Sequence, residues 1–104
     1  FSAGVKVIAG TDAGTPFNPH GELMEHLTVL HEQGLSANAC LRVCTSAAAK
    51  ALGLGDEAGT LKEGCRADVI AVDGNPEMDI NSLKKVVRVW VNGQSIHLCN
   101  LNEK

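Results

Sequence analysis

The stretch Val5-Lys6-Val7-Ile8-Ala9, closed by Gly10-Thr11-Asp12-Ala13-Gly14, constrains the fold more than any other. A β-branched run cut off by glycines reads as a short strand ending in a tight turn. The run is nearly continuous in apolar character rather than alternating, which fits a strand covered on both faces, as in a parallel sheet. Such a strand needs neighbours on either side, and the rest of the chain must be read for what could supply them.

Thr15 to Pro19 holds two prolines and an asparagine and is read as a loop. Asn18 can then cap a helix with Pro19 at its first position, where the missing N–H costs nothing. Leu23, Leu27 and Leu30, with Met24 beside them, share one helical face, and Gly34 is the expected stop. Glu22 and Glu25 lie near the start, where acids complement the helix dipole. Ser36 is the expected cap of a second helix reaching about Val43, and Thr45 or Ser46 of a third, Ala47 to Leu52.

Past Gly55 the period changes from helical to alternating. Ala67 to Val72 reads as a strand and Asp73-Gly74-Asn75-Pro76 as a turn. Val87, Val89 and Val91 alternate with Arg88 and Trp90, a strand with two distinct faces. Asn92-Gly93 is a strong hairpin signal, because both residues accept positive φ, and Gln94 to Leu98 is the returning strand. Asn100 to Lys104 is read as a frayed tail. The whole is an α/β chain: a strand, two or three helices, then an antiparallel β portion.

Composition narrows the function classes. Among 104 residues, 44% are hydrophobic and 20% charged, which suits a folded domain rather than disorder. The net charge of -3, without a Lys/Arg run, speaks against a nucleic-acid partner. No apolar stretch approaches the roughly 20 residues of a membrane helix, and a cytoplasmic location is expected. Cys40, Cys44, Cys65 and Cys99 form no C-x-x-C pair and read as small buried or half-buried thiols. Phe1 opens the chain without Met and runs straight into the apolar strand, so the sequence reads as the C-terminal part of a longer protein.

Asp12 is the first candidate for chemistry. It follows a strand in a glycine-flanked turn, where α/β barrels place catalytic groups, and a carboxylate there can ligate a divalent ion or accept a proton from water. The same residue type in such a turn also serves simply to form it. His20, eight positions on, can hydrogen-bond a substrate carbonyl or carboxylate, or sit at the surface of a helix start. His26 and His31 are read as solvent-facing and His97 as structural or exposed. The four histidines share no metal-binding spacing.

Three segments together resemble the end of the amidohydrolase superfamily barrel: Gly10-Thr11-Asp12-Ala13-Gly14, Pro19-His20-Gly21-Glu22, and Thr45-Ser46-x-x-Ala49-Lys50-Ala51-Leu52-Gly53. Gly59-Thr60-Leu61, Gly64, the run from Ala67 to Pro76, and Val89-x-Val91-Asn92-Gly93 resemble the superfamily's C-terminal tail. The branch it is most similar to contains imidazolonepropionase-like enzymes and Xaa-Pro or other Xaa-amino-acid dipeptidases. The resemblance implies that residues 1–55 end a (β/α)8 TIM barrel and residues 56–104 form part of a small antiparallel β-sandwich. It implies a hydrolase of C–N bonds in amides, small peptides or cyclic amides, with one or two divalent metals, usually zinc. Asp12 would ligate metal and act as general base, while His20 would face the substrate.

The departures also count. The His-x-His pair, the carboxylated lysine and the later histidine ligands implied by the resemblance are absent, and Cys65 stands where the family often has lysine. The expectation is a chain inactive alone and prone to associate with itself or another chain. The alternative is a non-catalytic, self-associating structural domain.

Overall fold

The structure, a computed structural model, describes residues 3–14, 16–17 and 21–97. Three helices come first: α1 (Leu23–Glu32), α2 (Ala37–Val43) and α3 (Ser46–Ala51). Strand β1 (Val69–Val72), a 3-10 turn (Ile80–Lys84), β2 (Val86–Val91) and β3 (Gln94–Ile96) follow. The three strands form one antiparallel sheet in the order β1-β2-β3.

The caps show why the helices begin where they do. Ser36 accepts a hydrogen bond from the Ala39 N–H at 3.1 Å, as its residue type predicts. At α3 the expectation needs correction. Thr45 occupies the cap position, but its hydroxyl donates back to the Leu41 carbonyl at 2.6 Å and caps nothing. The helix α1 begins at Leu23 with Glu22 before it; Asn18 and Pro19, expected to start it, lie outside the described residues.

The sheet follows the alternation in the sequence. Val69 pairs with Trp90, Ile70 with Val89 and Ala71 with Arg88, before a bulge shifts the register at Val72. Asn92 and Gly93 both have positive φ, 51° and 78°, the geometry of a two-residue hairpin turn matched to strand twist. The turn is docked as well as closed. The Asn92 N–H donates to Asp68 Oδ1 at 2.8 Å, and the Gly93 N–H donates to the Ala67 carbonyl at 2.9 Å. The β1 ladder starts two residues later than Ala67, and β3 ends at Ile96; Leu98 lies outside the described residues.

The core is small. Leu27, Ala37, Cys40, Val43 and Ile80 form its buried centre, with Met24, Leu30, Leu35 and Leu83 packed around them. Leu27, 2% exposed, is one of its largest fully buried side chains and contributes roughly 2 kcal/mol by removal from water. Leu23, expected on the same face, is 36% exposed. Ile80 enters from the 3-10 turn, whose two apolar residues, Ile80 and Leu83, are too few to show a period in the sequence. Asp79 Oδ1 accepts from the Asn81 N–H at 3.0 Å and holds this turn closed.

The leading apolar run differs from expectation. Among the described residues no strand pairs with Val5–Ala9; the Ala9 N–H instead donates to the Val43 carbonyl at 2.9 Å. Val5 is 70% and Ile8 46% exposed, although both were expected to be covered. The reason is physical: a strand is defined by its ladder, and here no neighbour presents one. No helix among the described residues is long and apolar enough to cross a membrane.

Candidate functional site

The site is built on the end of that extended segment. The bond from Ala9 to the last residue of α2 fixes the point where the chain leaves the helical core. Three residues later Asp12 stands exposed, with φ of 49°. A left-handed backbone at a non-glycine residue is uncommon, although aspartate tolerates it better than most. The turn is braced by the Ala13 N–H, which donates to Thr11 Oγ1 at 3.2 Å. Strained backbone of this kind clusters at functional positions, and the inference runs from the observed outlier to the role.

Sequence reasoning passed over Phe17. It has φ of 60° and a fully exposed ring, five positions after Asp12. A bulky residue in the left-handed region is a stronger outlier than aspartate. Its signal was available: an aromatic residue in the loop between the two candidate polar residues. His20 lies outside the described residues, so the pairing of Asp12 with His20 is not brought together here.

The other histidines divide. His31 is exposed, its Nδ1 2.7 Å from the Leu35 carbonyl, and His97 is exposed. His26, read from sequence as solvent-facing, is half-buried on α1. Among the described residues no three His, Cys, Asp or Glu side chains converge as a metal ion requires. The cysteines are thiols as expected: Cys40 is buried, Cys44 and Cys65 half-buried, and all three are free. Loss of water around Cys40 and Cys44 holds both thiols above their ordinary value of 9.0; for Cys44 a backbone hydrogen bond opposes the rise and Cys40 adds to it. Cys99 lies outside the described residues.

An exposed carboxylate on a strained turn, tethered to a small helical core that is followed by an antiparallel sheet, is the arrangement to compare with known proteins. The sequence matches the amidohydrolase family over residues 1–96. The chain belongs to the amidohydrolase family. An imidazolonepropionase from Thermoplasma volcanium is 35% identical over 94 residues, covering 83% of this chain and 23% of that protein. Among solved structures, a Xaa-Pro dipeptidase with bound methionine in its active site superposes with a TM-score of 0.85 at 35% identity, over 93% of this chain and 23% of that one. A molinate hydrolase superposes with a TM-score of 0.84 at 26% identity, over 91% and 24%. This amidohydrolase chain therefore spans about a quarter of the length of the relatives it matches. Its mixed architecture of helices and a small antiparallel sheet is theirs over that quarter.

Proposed function

We propose that this chain supplies the catalytic aspartate of a metal-dependent amidohydrolase that cleaves C–N bonds of small amides, dipeptides or cyclic amides. In this reading residues 1–55 end a (β/α)8 barrel and residues 56–104 belong to a β-sandwich beside it. The observation that carries it is Asp12: an exposed carboxylate in a left-handed turn, positioned by the Ala9–Val43 bond. The names of the relatives, an imidazolonepropionase and a Xaa-Pro dipeptidase, support the bond class.

The described residues do not make a zinc site. A tetrahedral ion takes about four ligands, and Asp12 is a single donor with no cluster around it among the described residues. Further ligands have to come from another segment or chain. Asp12 itself can accept a proton as water attacks the carbonyl carbon, then deliver that proton to the departing nitrogen so that it leaves as an amine. His20 is proposed to orient the substrate carbonyl or carboxylate.

The test is a chimera in which residues 1–97 replace the matching quarter of the Xaa-Pro dipeptidase. Hydrolysis of a Xaa-Pro dipeptide should appear, and Asp12→Asn should lower its rate by about 10²–10⁴-fold. A folded chimera that keeps its rate after the exchange would sink the assignment. The alternative, a non-catalytic self-associating domain, gives Asp12 no role and predicts that the exchange alters nothing measurable.

A further inference from the structure

Asn92 is the one asparagine in the sequence followed by glycine. Glycine has no side chain to keep its amide nitrogen from the asparagine's own side-chain carbonyl carbon, and the Asn92-Gly93 turn is exposed, so water reaches it. Even so, the turn is held at both peptide groups of Asn92. On one side the Asn92 N–H donates to Asp68 Oδ1 at 2.8 Å, and on the other the Gly93 N–H donates to the Ala67 carbonyl at 2.9 Å. Asp68 is itself steadied by Arg66, whose Nη1 lies 3.6 Å from its other oxygen. The φ values of 51° and 78° make this a type I′ turn, in which the first central ψ is about +30°. That angle points the Gly93 nitrogen away from the Asn92 side chain, whereas closing a ring between them requires the nitrogen to eclipse the Asn92 Cβ.

We propose that Asn92-Gly93 is a self-modifying site whose rate is set by the contacts to Ala67 and Asp68. The Gly93 nitrogen gives its proton to solvent and bonds to the Asn92 side-chain carbonyl carbon. The bond from that carbon to the side-chain nitrogen breaks, and the nitrogen takes a proton from solvent and leaves as ammonia. Water then adds to either carbonyl carbon of the five-membered imide and breaks one of its C–N bonds, leaving aspartate or isoaspartate. The docked turn opposes the first step twice. Rotating the Asn92 ψ into line swings the Gly93 N–H off the Ala67 carbonyl, and the Asp68 carboxylate beside the turn disfavours a second negative charge on the amide. The products cannot dock as before. Isoaspartate routes the main chain through the former side chain and lengthens a two-residue turn, while aspartate sets a second carboxylate near Asp68. The reaction lies within the chain, needs only water, and does not depend on the catalytic reading of Asp12.

Incubation of the 104-residue chain at mildly alkaline pH tests it, with peptide mass spectrometry and chromatographic separation of the aspartate and isoaspartate forms. Product should accumulate at Asn92 ahead of every other asparagine. A hydrogen bond to a charged acceptor holds an opening down about 10-fold. Asp68→Ala should therefore raise the rate about 10-fold in folded protein, with Trp90 emission reporting that the sheet is intact. Guanidinium unfolding releases both bonds and should raise it further. Asn92→Gly keeps the turn's positive φ without the amide and should give no product there. An unfolded chain without product at Asn92 would overturn the site. A folded chain that reacts as fast as the unfolded one, or a folded Asp68→Ala protein with an unchanged rate, would overturn the control by docking. Should Asp68→Ala fail to fold, the comparison of folded with unfolded wild-type chain decides alone.

Discussion

Gly59 gives the sharpest test of how the chain is held together. Its φ is +85°, and a Cβ added there would lie 2.7 Å from the Ala49 Cβ and 2.8 Å from the Thr45 carbonyl oxygen. Thr45 is the residue before α3 and Ala49 lies within it; one contact is backbone and the other a Cβ fixed to the helix, so neither can swing aside. Gly53 is the matched control, with φ of +77° and nothing within 4 Å of the same added atom. Alanine in the left-handed region costs about 1–2 kcal/mol, offset by about 0.4–1 kcal/mol from a less flexible unfolded chain. Gly53→Ala should therefore destabilise by roughly 0.5–1 kcal/mol. Gly59→Ala adds an overpacking cost of about 1–3 kcal/mol, for a total of roughly 2–4 kcal/mol. Urea titration followed by helical circular dichroism, at one fixed protein concentration, reads both. With an m-value of about 1.5 kcal/mol/M, the midpoint should fall by roughly 1.3–2.7 M for Gly59→Ala and by less than about 0.7 M for Gly53→Ala. Equal shifts would refute the close approach of Gly59 to α3.

Leu27→Ala, which empties the centre of the core, should lower stability by about 2–5 kcal/mol in the same assay; a loss below about 1 kcal/mol would mean that the core is packed by other residues. Ser36→Ala removes the bond to the Ala39 N–H and should cost about 1 kcal/mol, restored by Asp at the same position. Burial holds the Cys40 and Cys44 thiols above 9.0, so the folded state disfavours the thiolate. Their contribution to stability should be complete below that value and lost as pH rises through the folded-state values, because the unfolded chain ionises first. Urea midpoints measured from pH 7 to 11 should show this decline, reduced in Cys40→Ala; a midpoint rising above pH 9 would contradict the sign. Zinc titrated calorimetrically into the chain should give no tight binding, and Asp12→Asn should change nothing there, since one carboxylate is far short of about four ligands.

Much of this was legible residue by residue. Ser36 caps as its hydroxyl allows, and Asn92-Gly93 turns because both residues accept positive φ. The alternation of Val87, Val89 and Val91 marks a two-faced strand. Where reading failed, the missing information was not local. Val5–Ala9 carries the composition of a covered strand, but composition reports what a segment requires, not whether a neighbour is there to supply it. Thr45 has a cap's side chain and spends it on the preceding turn of α2. Ile80 could not be found by period, because it and Leu83, three positions on, are too few to establish one. The turn around Asp12 was legible from its flanking glycines, while the left-handed backbone at Asp12 and the exposed ring of Phe17 emerged only from the structure.

The entry of Ile80 into the helical core has a consequence for how the chain assembles in time. Leu27 and Ile80 belong to one buried cluster although they stand 53 positions apart, 80 minus 27. Contacts of such long sequence separation require a large loop to close before any burial rewards it, and they slow folding. During synthesis the three helices emerge first with the seat for Ile80 unfilled. That seat is filled only after the segment beyond Asp79 has been made, so the C-terminal half completes the buried centre of the N-terminal half.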